Sequence, residues 1–220
     1  MLGTVNDTRD ESYARRLRDK EGVWWKRLLN VQAPYRWNLR RQHLGRTLDI
    51  GCGIGRNLGS LPAGSVGVDH NAASIEEARG RGLEALTTEE WQESPLRVPH
   101  AFDSLLLAHV IEHMDEEAGR ELVRGYLPYL KPGGRVLFIC PQERGYTTDA
   151  THVRFTDLDD LASLSRDVGL TPERRFSFPF PALAGRVFTY NEFCLVARSP
   201  SGVDPTASAE QALHDPPVEA

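Results

Sequence analysis

Cysteine is scarce in this 220-residue chain, and the three present, Cys52, Cys140 and Cys194, lie far apart with no C-x-x-C pair. That spacing offers neither a redox pair nor a disulfide framework. Two of the three end or interrupt apolar runs, so buried, reduced thiols of a cytoplasmic protein are expected. No apolar run approaches the ~20 residues needed to cross a bilayer. The N-terminal stretch MLGTVNDTRDESYARR is polar and lacks the apolar segment of a signal peptide. An excess of basic charge is missing as well. The net charge is −5, and Asp204, Glu210, Asp215 and Glu219 fall in a final stretch without Lys or Arg, which leaves the first 198 residues near −1. Nothing in that balance points to nucleic acid as a partner. No internal repeat is found.

What is present is an alternation of short apolar strands and helical segments. Residues 1–10 carry no pattern. Glu11 to about Leu44 reads as helical, broken at Pro34, and contains VWWKRLL and APYRWNLRR. Strands are expected at Arg46–Gly53, Ser65–His70, Leu83–Thr88, Phe102–His109 and Arg135–Cys140. Helices are expected at Ala72–Arg81 with Asn71 as cap, at Asp115–Leu130 stopped by Lys131–Gly134, and at Asp157–Val168. Apolar strands alternating with helices imply a parallel sheet covered on both faces. Glu173–Phe180 and Tyr190–Arg198 follow with no helix between them, which fits an antiparallel excursion. The Pro/Ala/Ser-rich, acidic residues 199–220 read as a disordered tail.

Leu48-Asp49-Ile50-Gly51-Cys52-Gly53-Ile54-Gly55-Arg56 follows a strand and is expected to open a helix. Glycines there let the backbone approach a ligand and aim amides at it. The spacing departs from the dinucleotide fingerprint G-x-G-x-x-G, whose last position is Arg56 counted from Gly51 or Leu58 counted from Gly53. A nicotinamide oxidoreductase is therefore disfavoured. Asp69 ends the next strand, where a carboxylate can accept hydrogen bonds from both ribose hydroxyls.

LDIGCGIGR, GVDH, FDSLLLAHVIEHM and LKPGGRVLFI, in this order, resemble the class I S-adenosylmethionine-dependent methyltransferases. The resemblance covers roughly residues 44–198. It implies an α/β fold: a doubly wound, Rossmann-like seven-stranded sheet of order 3-2-1-4-5-7-6, mostly parallel with strand 7 antiparallel. Residues 1–43 would then be an N-terminal helical lid segment, with Tyr35, Arg36 and Trp37 near the cofactor or acceptor. For Trp24 and Trp25 packing on the domain is expected, with contact to a membrane surface or a partner as the alternatives. The resemblance also implies S-adenosylmethionine as cofactor. Asp49, Gly51, Cys52 and Gly53 would surround its methionine part, Asp69 would hold the ribose, and His70 would flank the adenine. Thr88, Glu89 and Trp91, within TTEEW, follow strand 3 where the family contacts the adenine amine; a core aromatic is the equal alternative for Trp91. Ala108 and His109 would adjoin the methyl donor.

His109-Val110-Ile111-Glu112-His113 raises a different possibility. On a helix the two imidazoles would share one face and could bind zinc. Here His109 ends an apolar strand and the helical register begins only near Asp115, so no metal is expected. The resembled family carries similar strings without metal, and His113 and Glu112 are expected to fix the loop. Ligands in open α/β sheets bind beyond the carboxyl ends of the strands. The residues from Pro141 to Phe155 are therefore the candidate acceptor mouth, with Glu143, Arg144, Tyr146 and Asp149 as candidate contacts. Phe178, Phe180, Phe188 and Tyr190 form either an apolar acceptor wall or a packed hairpin. If the acceptor must lose a proton, His152 is the first candidate base and His109 the second. The expected function is methyl transfer to a small-molecule or lipid- or sugar-linked acceptor. A catalytically silent cofactor-binding module is the alternative. Oligomeric state is not readable.

Overall fold

A computed structural model describes residues 32–202. The expected acidic tail from residue 203, and the N-terminal segment before residue 32 with Trp24 and Trp25, lie outside the described residues. Helix α1 (Ala33–Arg40) precedes β1 (Thr47–Ile50), β2 (Val66–Asp69), α2 (Ala72–Gly80), β3 (Ala85–Thr87) and α3 (Thr88–Glu93). Then come β4 (Phe102–Ala108), α4 (Glu116–Tyr126), β5 (Leu130–Pro141), α5 (Glu143–Tyr146), α6 (Leu158–Asp167), β6 (Thr171–Phe178) and β7 (Glu192–Arg198). The seven strands form one sheet of order β3-β2-β1-β4-β5-β7-β6. Strand β7 is antiparallel to both β5 and β6, and the other pairs are parallel. The expected α/β sheet is thus found with its strand order and its one reversed strand.

Strand β4 shows why both faces must be covered. Its side chains alternate between two cores. Leu105 and Leu107 face a core with Leu48, Val136, Phe138, Val123 and Leu161. Leu106 and Ala108 face another with Leu39, Leu44, Leu137 and Val196. Helices α4 and α6 supply the first core and α1 the second. Fully burying each leucine contributes about 1.5–3 kcal/mol, so the central strands carry much of the fold's stability.

Several boundaries differ from expectation for local reasons. Pro34 sits in the first turn of α1, where its missing N–H costs nothing, and the expected helical stretch before it lies outside the described residues. The expected helix through Leu130 ends at Tyr126, because Pro128 cannot continue the ladder, and Leu127–Tyr129 form a 3-10 turn. Lys131–Gly134 lie inside β5 rather than ahead of it. The glycine turn opens no α-helix. Gly51, Gly53 and Gly55 all have positive φ, and alternating left-handed residues interrupt a right-handed run, so turns lead to a short 3-10 helix at Leu58–Ser60. Asn71 caps α2 as expected, its side chain accepting from Ser74 N.

A buried amide pair ties the crossover between β6 and β7 to the end of β5. Asn191 Nδ2 donates to Gln142 Oε1 at 2.9 Å and to Phe180 O at 3.1 Å, while its Oδ1 accepts from Phe180 N at 2.9 Å. Gln142 Nε2 in turn donates to Ser177 Oγ at 2.8 Å. Asn191→Ala would strand Gln142 Oε1 and the Phe180 amide inside the protein. It is expected to lower unfolding free energy by about 2–3 kcal/mol in urea titration with little change in slope; an unchanged midpoint would show the crossover is held otherwise.

Candidate functional site

Two aspartates stand at the carboxyl ends of β1 and β2. Asp69 accepts Gly53 N through Oδ2 and Asn71 N through Oδ1, both at 2.8 Å. Its carboxylate thereby joins the glycine turn to the cap of α2. Gly51 N and Cys52 N both donate to Val68 O, at 2.7 and 3.2 Å, folding the turn back over β2. Gly51 has no room for a side chain: a Cβ there would lie 2.4 Å from Val110 Cγ2. The turn is therefore packed directly against the segment that follows β4. Asp49 is almost fully buried, and its Oδ2 has no hydrogen-bond partner. Burial, reinforced by the Asp69 charge, pushes its pKa up to about 8. Burial first, and then the same carboxylates, push the Cys52 thiol well up, so it is a wall and not a nucleophile. His70 follows Asp69 with Nδ1 3.7 Å from Asp69 Oδ1 and 40% of its side chain exposed.

After β3 the expected adenine contacts divide. Thr87 caps α3 and Glu90 folds back on it, donating nothing but accepting Thr87 N at 2.8 Å, and pairs with Arg79. Thr88 and Glu89 remain at the sheet edge, Glu89 exposed. Trp91 is 1% exposed and packs against Phe102, Tyr126 and Tyr129. Of its two expected placements it takes the core, because its ring has no surface to present to a ligand.

Beyond β4, His109 adopts φ +60° and its amide donates to Ile139 O at 2.8 Å. The ring lies between two carboxylates, with Nδ1 3.3 Å from Glu112 Oε1 and Nε2 3.0 Å from Glu192 Oε1. Crowding by the fold opposes a charge on the ring, but the two acids outweigh it and push its pKa up to about 10. With a carboxylate oxygen against each nitrogen, both must carry protons. Held between two acids, His109 favours its protonated form, which weighs against a role as base. Sequence reasoning missed Glu192; only the pairing of Pro141 with Glu192 across β5 and β7 brings it to the mouth.

The loop after β5 is partly helical, and the sequence does bring its titratable residues to the mouth. His152 stacks on Tyr146, ring centroids 5.1 Å apart, and its Nδ1 lies 2.6 Å from Tyr146 O. His113 lies beside it at 4.8 Å between centroids. Asp149 Oδ1 accepts from Thr151 N at 3.0 Å and Thr151 Oγ1 at 2.7 Å. Glu143 has a buried Oε2 without a hydrogen-bond partner, whereas Arg144 is exposed. The aromatic wall also divides. Phe180, Phe188 and Tyr190 form an edge-to-face chain with the exposed Leu183 and Val187 beside it. Phe178 leaves this group; it is buried against Tyr35 under α1 and serves the core. A separate cleft of about 330 Å³, lined by Tyr35, Arg36, Arg56 and Arg81 among others, shares Gly55 and Arg56 with the glycine turn and is lined by neither aspartate.

Strand order, glycine turn and terminal aspartates define a Rossmann-like protein of the methyltransferase type. A family model described as a methyltransferase domain matches residues 48–136. Solved structures share the fold at low identity. A SAM-dependent methyltransferase from Archaeoglobus fulgidus is 19% identical, with 75% of this chain and 93% of that one covered and a TM-score of 0.59. A possible histamine N-methyltransferase from Thermotoga maritima is 22% identical, with 86% and 98% covered and a TM-score of 0.60. A magnesium protoporphyrin IX methyltransferase from Synechocystis PCC 6803 with bound SAH is 15% identical, with 87% and 96% covered and a TM-score of 0.58. No curated protein matches the chain. Residues 48–136 thus match a methyltransferase domain, and the described chain shares the fold of S-adenosylmethionine-dependent methyltransferases.

The raised Asp49 pKa has a consequence for stability. The folded protein holds a proton on Asp49 up to about pH 8, whereas the unfolded chain loses it near pH 4. The native state thus binds the extra proton between these values, and this contribution to stability falls as pH rises from about 4 to 8. Asp49→Asn is expected to remove that slope, so the ligand-free variant should gain on the parent as pH rises. Parallel denaturation curves at pH 5 and 8 measure it; an equal difference at both would show that Asp49 is ionised throughout.

Proposed function

We propose that this methyltransferase acts on a small or lipid- or sugar-linked acceptor that enters between the loops following β4 and β5. The single observation behind this reading is that those loops bring His113, Tyr146 and His152 together, while α5, through Gly145 against Thr189, adjoins the segment carrying Phe180, Phe188 and Tyr190. Such an arrangement suits a molecule with a polar reacting end and an apolar body. No basic groove for a nucleic acid is part of the reading. An acceptor of this kind agrees with the absence, among the described residues, of a helix long and apolar enough to cross a membrane.

The residues present suit the cofactor. Asp69, already fixed by two amides, has lone pairs left for ribose hydroxyls. The orphaned, buried oxygen of Asp49 suits the cofactor's ammonium group, which would return that carboxylate to its charged form. Gly51, Cys52 and Gly53 would pass under the methionine part, His70 would flank the adenine, and Thr88 and Glu89 would meet its amine edge. Ala108 would form the floor near the transferred methyl. When bound, the cofactor supplies a sulfonium whose positive charge makes its methyl electrophilic. The chain's task is to align the acceptor for in-line attack and to exclude water. A hydroxyl or amine acceptor must also lose a proton, and of the two candidate histidines His152 is the one assigned this role, since His109 is held between two carboxylates. Glu143, Arg144, Tyr146, Asp149 and Tyr190 would line the acceptor path.

Asp69→Ala is expected to raise the dissociation constant for S-adenosylmethionine by roughly 10–100-fold in calorimetry, since it removes charge-assisted hydrogen bonds; unchanged affinity would refute the ribose assignment. His152→Ala is expected to keep cofactor affinity while slowing turnover by about a hundredfold against a panel of polar-headed acceptors. Normal turnover in that variant would remove His152 from the reaction. Cofactor binding with no transfer to any acceptor in the panel would favour the silent binding module.

A further inference from the structure

We propose that Glu112, His113 and His152 form a binding site for a divalent transition-metal ion, zinc-like rather than magnesium-like, at the mouth beyond β4 and β5. The inference goes beyond the methyl-transfer reading and does not rest on it. The H-x-x-E-H string is involved, but not as a helical pair. His109 points to Glu192, and the third ligand comes from the loop after β5. One ligand atom from each of Glu112, His113 and His152 lies within 4.8 Å of the others. Ligands on a tetrahedral ion with bonds of about 2.1 Å sit roughly 3.4 Å apart, so side-chain rotations of an ångström or so would close the set.

Three independent features suit these groups to ligation. First, each ring has its Nδ1 facing a backbone carbonyl, Thr151 O at 3.2 Å for His113 and Tyr146 O at 2.6 Å for His152. A carbonyl only accepts, so each Nδ1 carries the proton and each Nε2 keeps its lone pair. Metal-binding histidines are held in this way. Thr151 Oγ1, also 3.2 Å from His113 Nδ1, points its own proton at Asp149, so it leaves that assignment unchanged. Second, the Glu112 carboxylate is completely buried, with the His109 ring against Oε1 and no hydrogen-bond partner for Oε2. The His109 ring, 3.3 Å away, supplies a charge on one side only. A buried carboxylate this poorly satisfied is costly unless a cation completes its surroundings. Third, the two segments are already joined. Val153 N and Arg154 N donate to Glu112 O at 2.8 and 3.2 Å, which fixes the loop carrying His152 against the turn carrying His113.

Two imidazole nitrogens and one carboxylate favour a borderline ion such as Zn²⁺, whereas Mg²⁺ and Ca²⁺ prefer all-oxygen surroundings. Three protein ligands leave a position open toward the mouth. An acceptor hydroxyl or amine placed there would be polarised by the ion and would release its proton more readily. In that arrangement His152 serves as a ligand and not as the base, since its one lone pair cannot do both.

The test uses the full chain, stripped with a chelator and titrated with Zn²⁺ and, separately, Mg²⁺ against a chromogenic chelator. His113→Ala, His152→Ala and the exposed control His43→Asn are measured alongside. The parent and His43→Asn are expected to bind one equivalent of Zn²⁺, and each ligand variant to bind about a hundredfold more weakly or less. Mg²⁺ should compete poorly. Circular dichroism monitors folding, and should His113→Ala lose its spectrum, the half-buried His152→Ala carries the comparison. No stoichiometric zinc in the parent, zinc affinity unchanged in the ligand variants, or a preference for Mg²⁺ would each overturn the proposal. Calorimetry with S-adenosylmethionine on the same stripped protein reports the cofactor half separately, so failure there strikes the methyl-transfer reading and leaves the metal result standing.

Discussion

The carboxylate of Asp69 holds the cofactor end of this molecule together. It takes an amide from the glycine turn and another from the start of α2, both at 2.8 Å. Three left-handed glycines make the turn tight enough to reach it. Once the turn is fixed there, Gly51 lies against Val110, so the glycine turn packs directly on the segment after β4. The buried oxygen of Asp49 is left without a partner by the same folding. A helix N-terminus would have supplied amides on its own; this chain supplies them from turns, and the aspartate takes over the ordering role.

The mouth has a different electrostatic logic. Glu112 is buried as an acid, and the only cation against it is His109, itself shared with Glu192. Neither partner would be stable alone in that place: an unpaired buried carboxylate costs several kcal/mol, and an unpaired imidazolium there would lose its proton. Together they leave the cluster with one negative charge in excess. In the proposed reading, a site of that sign would favour a cationic donor over its neutral product.

Much of this was legible in the residues. LDIGCGIGR, GVDH and LKPGGRVLFI announced the strand-turn pattern because their glycines and apolar runs act locally, through φ and burial. Asn71 as cap, Asp69 as terminal acid and the reversed last strand were legible for the same reason. The end of α4 ahead of Pro128 was not legible, since a proline's effect depends on where in the turn it falls, and only backbone placement decides that. Trp91 and Phe178 look in sequence like ligand-facing aromatics. Which side of a strand or helix they occupy is set by packing partners more than 10 residues away, such as Tyr126 for Trp91. The cluster of Glu112, His113 and His152 joins residues about 40 positions apart and was not readable as a spacing.

The single antiparallel strand explains how so much reaches the mouth. In a parallel sheet only the loops leaving the strands arrive at the carboxyl edge. Strand β7 runs the other way, so its first residue, Glu192, sits beside Pro141 at the end of β5. The crossover entering it, with Phe180, Phe188 and Tyr190, is delivered to the same edge and locked there by Asn191 and Gln142. Reversing one strand therefore adds a carboxylate for His109 and an apolar aromatic chain without adding a domain. It also places both beside the loop carrying His152, which is why the acid, base and aromatic chemistry of this chain converges on one rim.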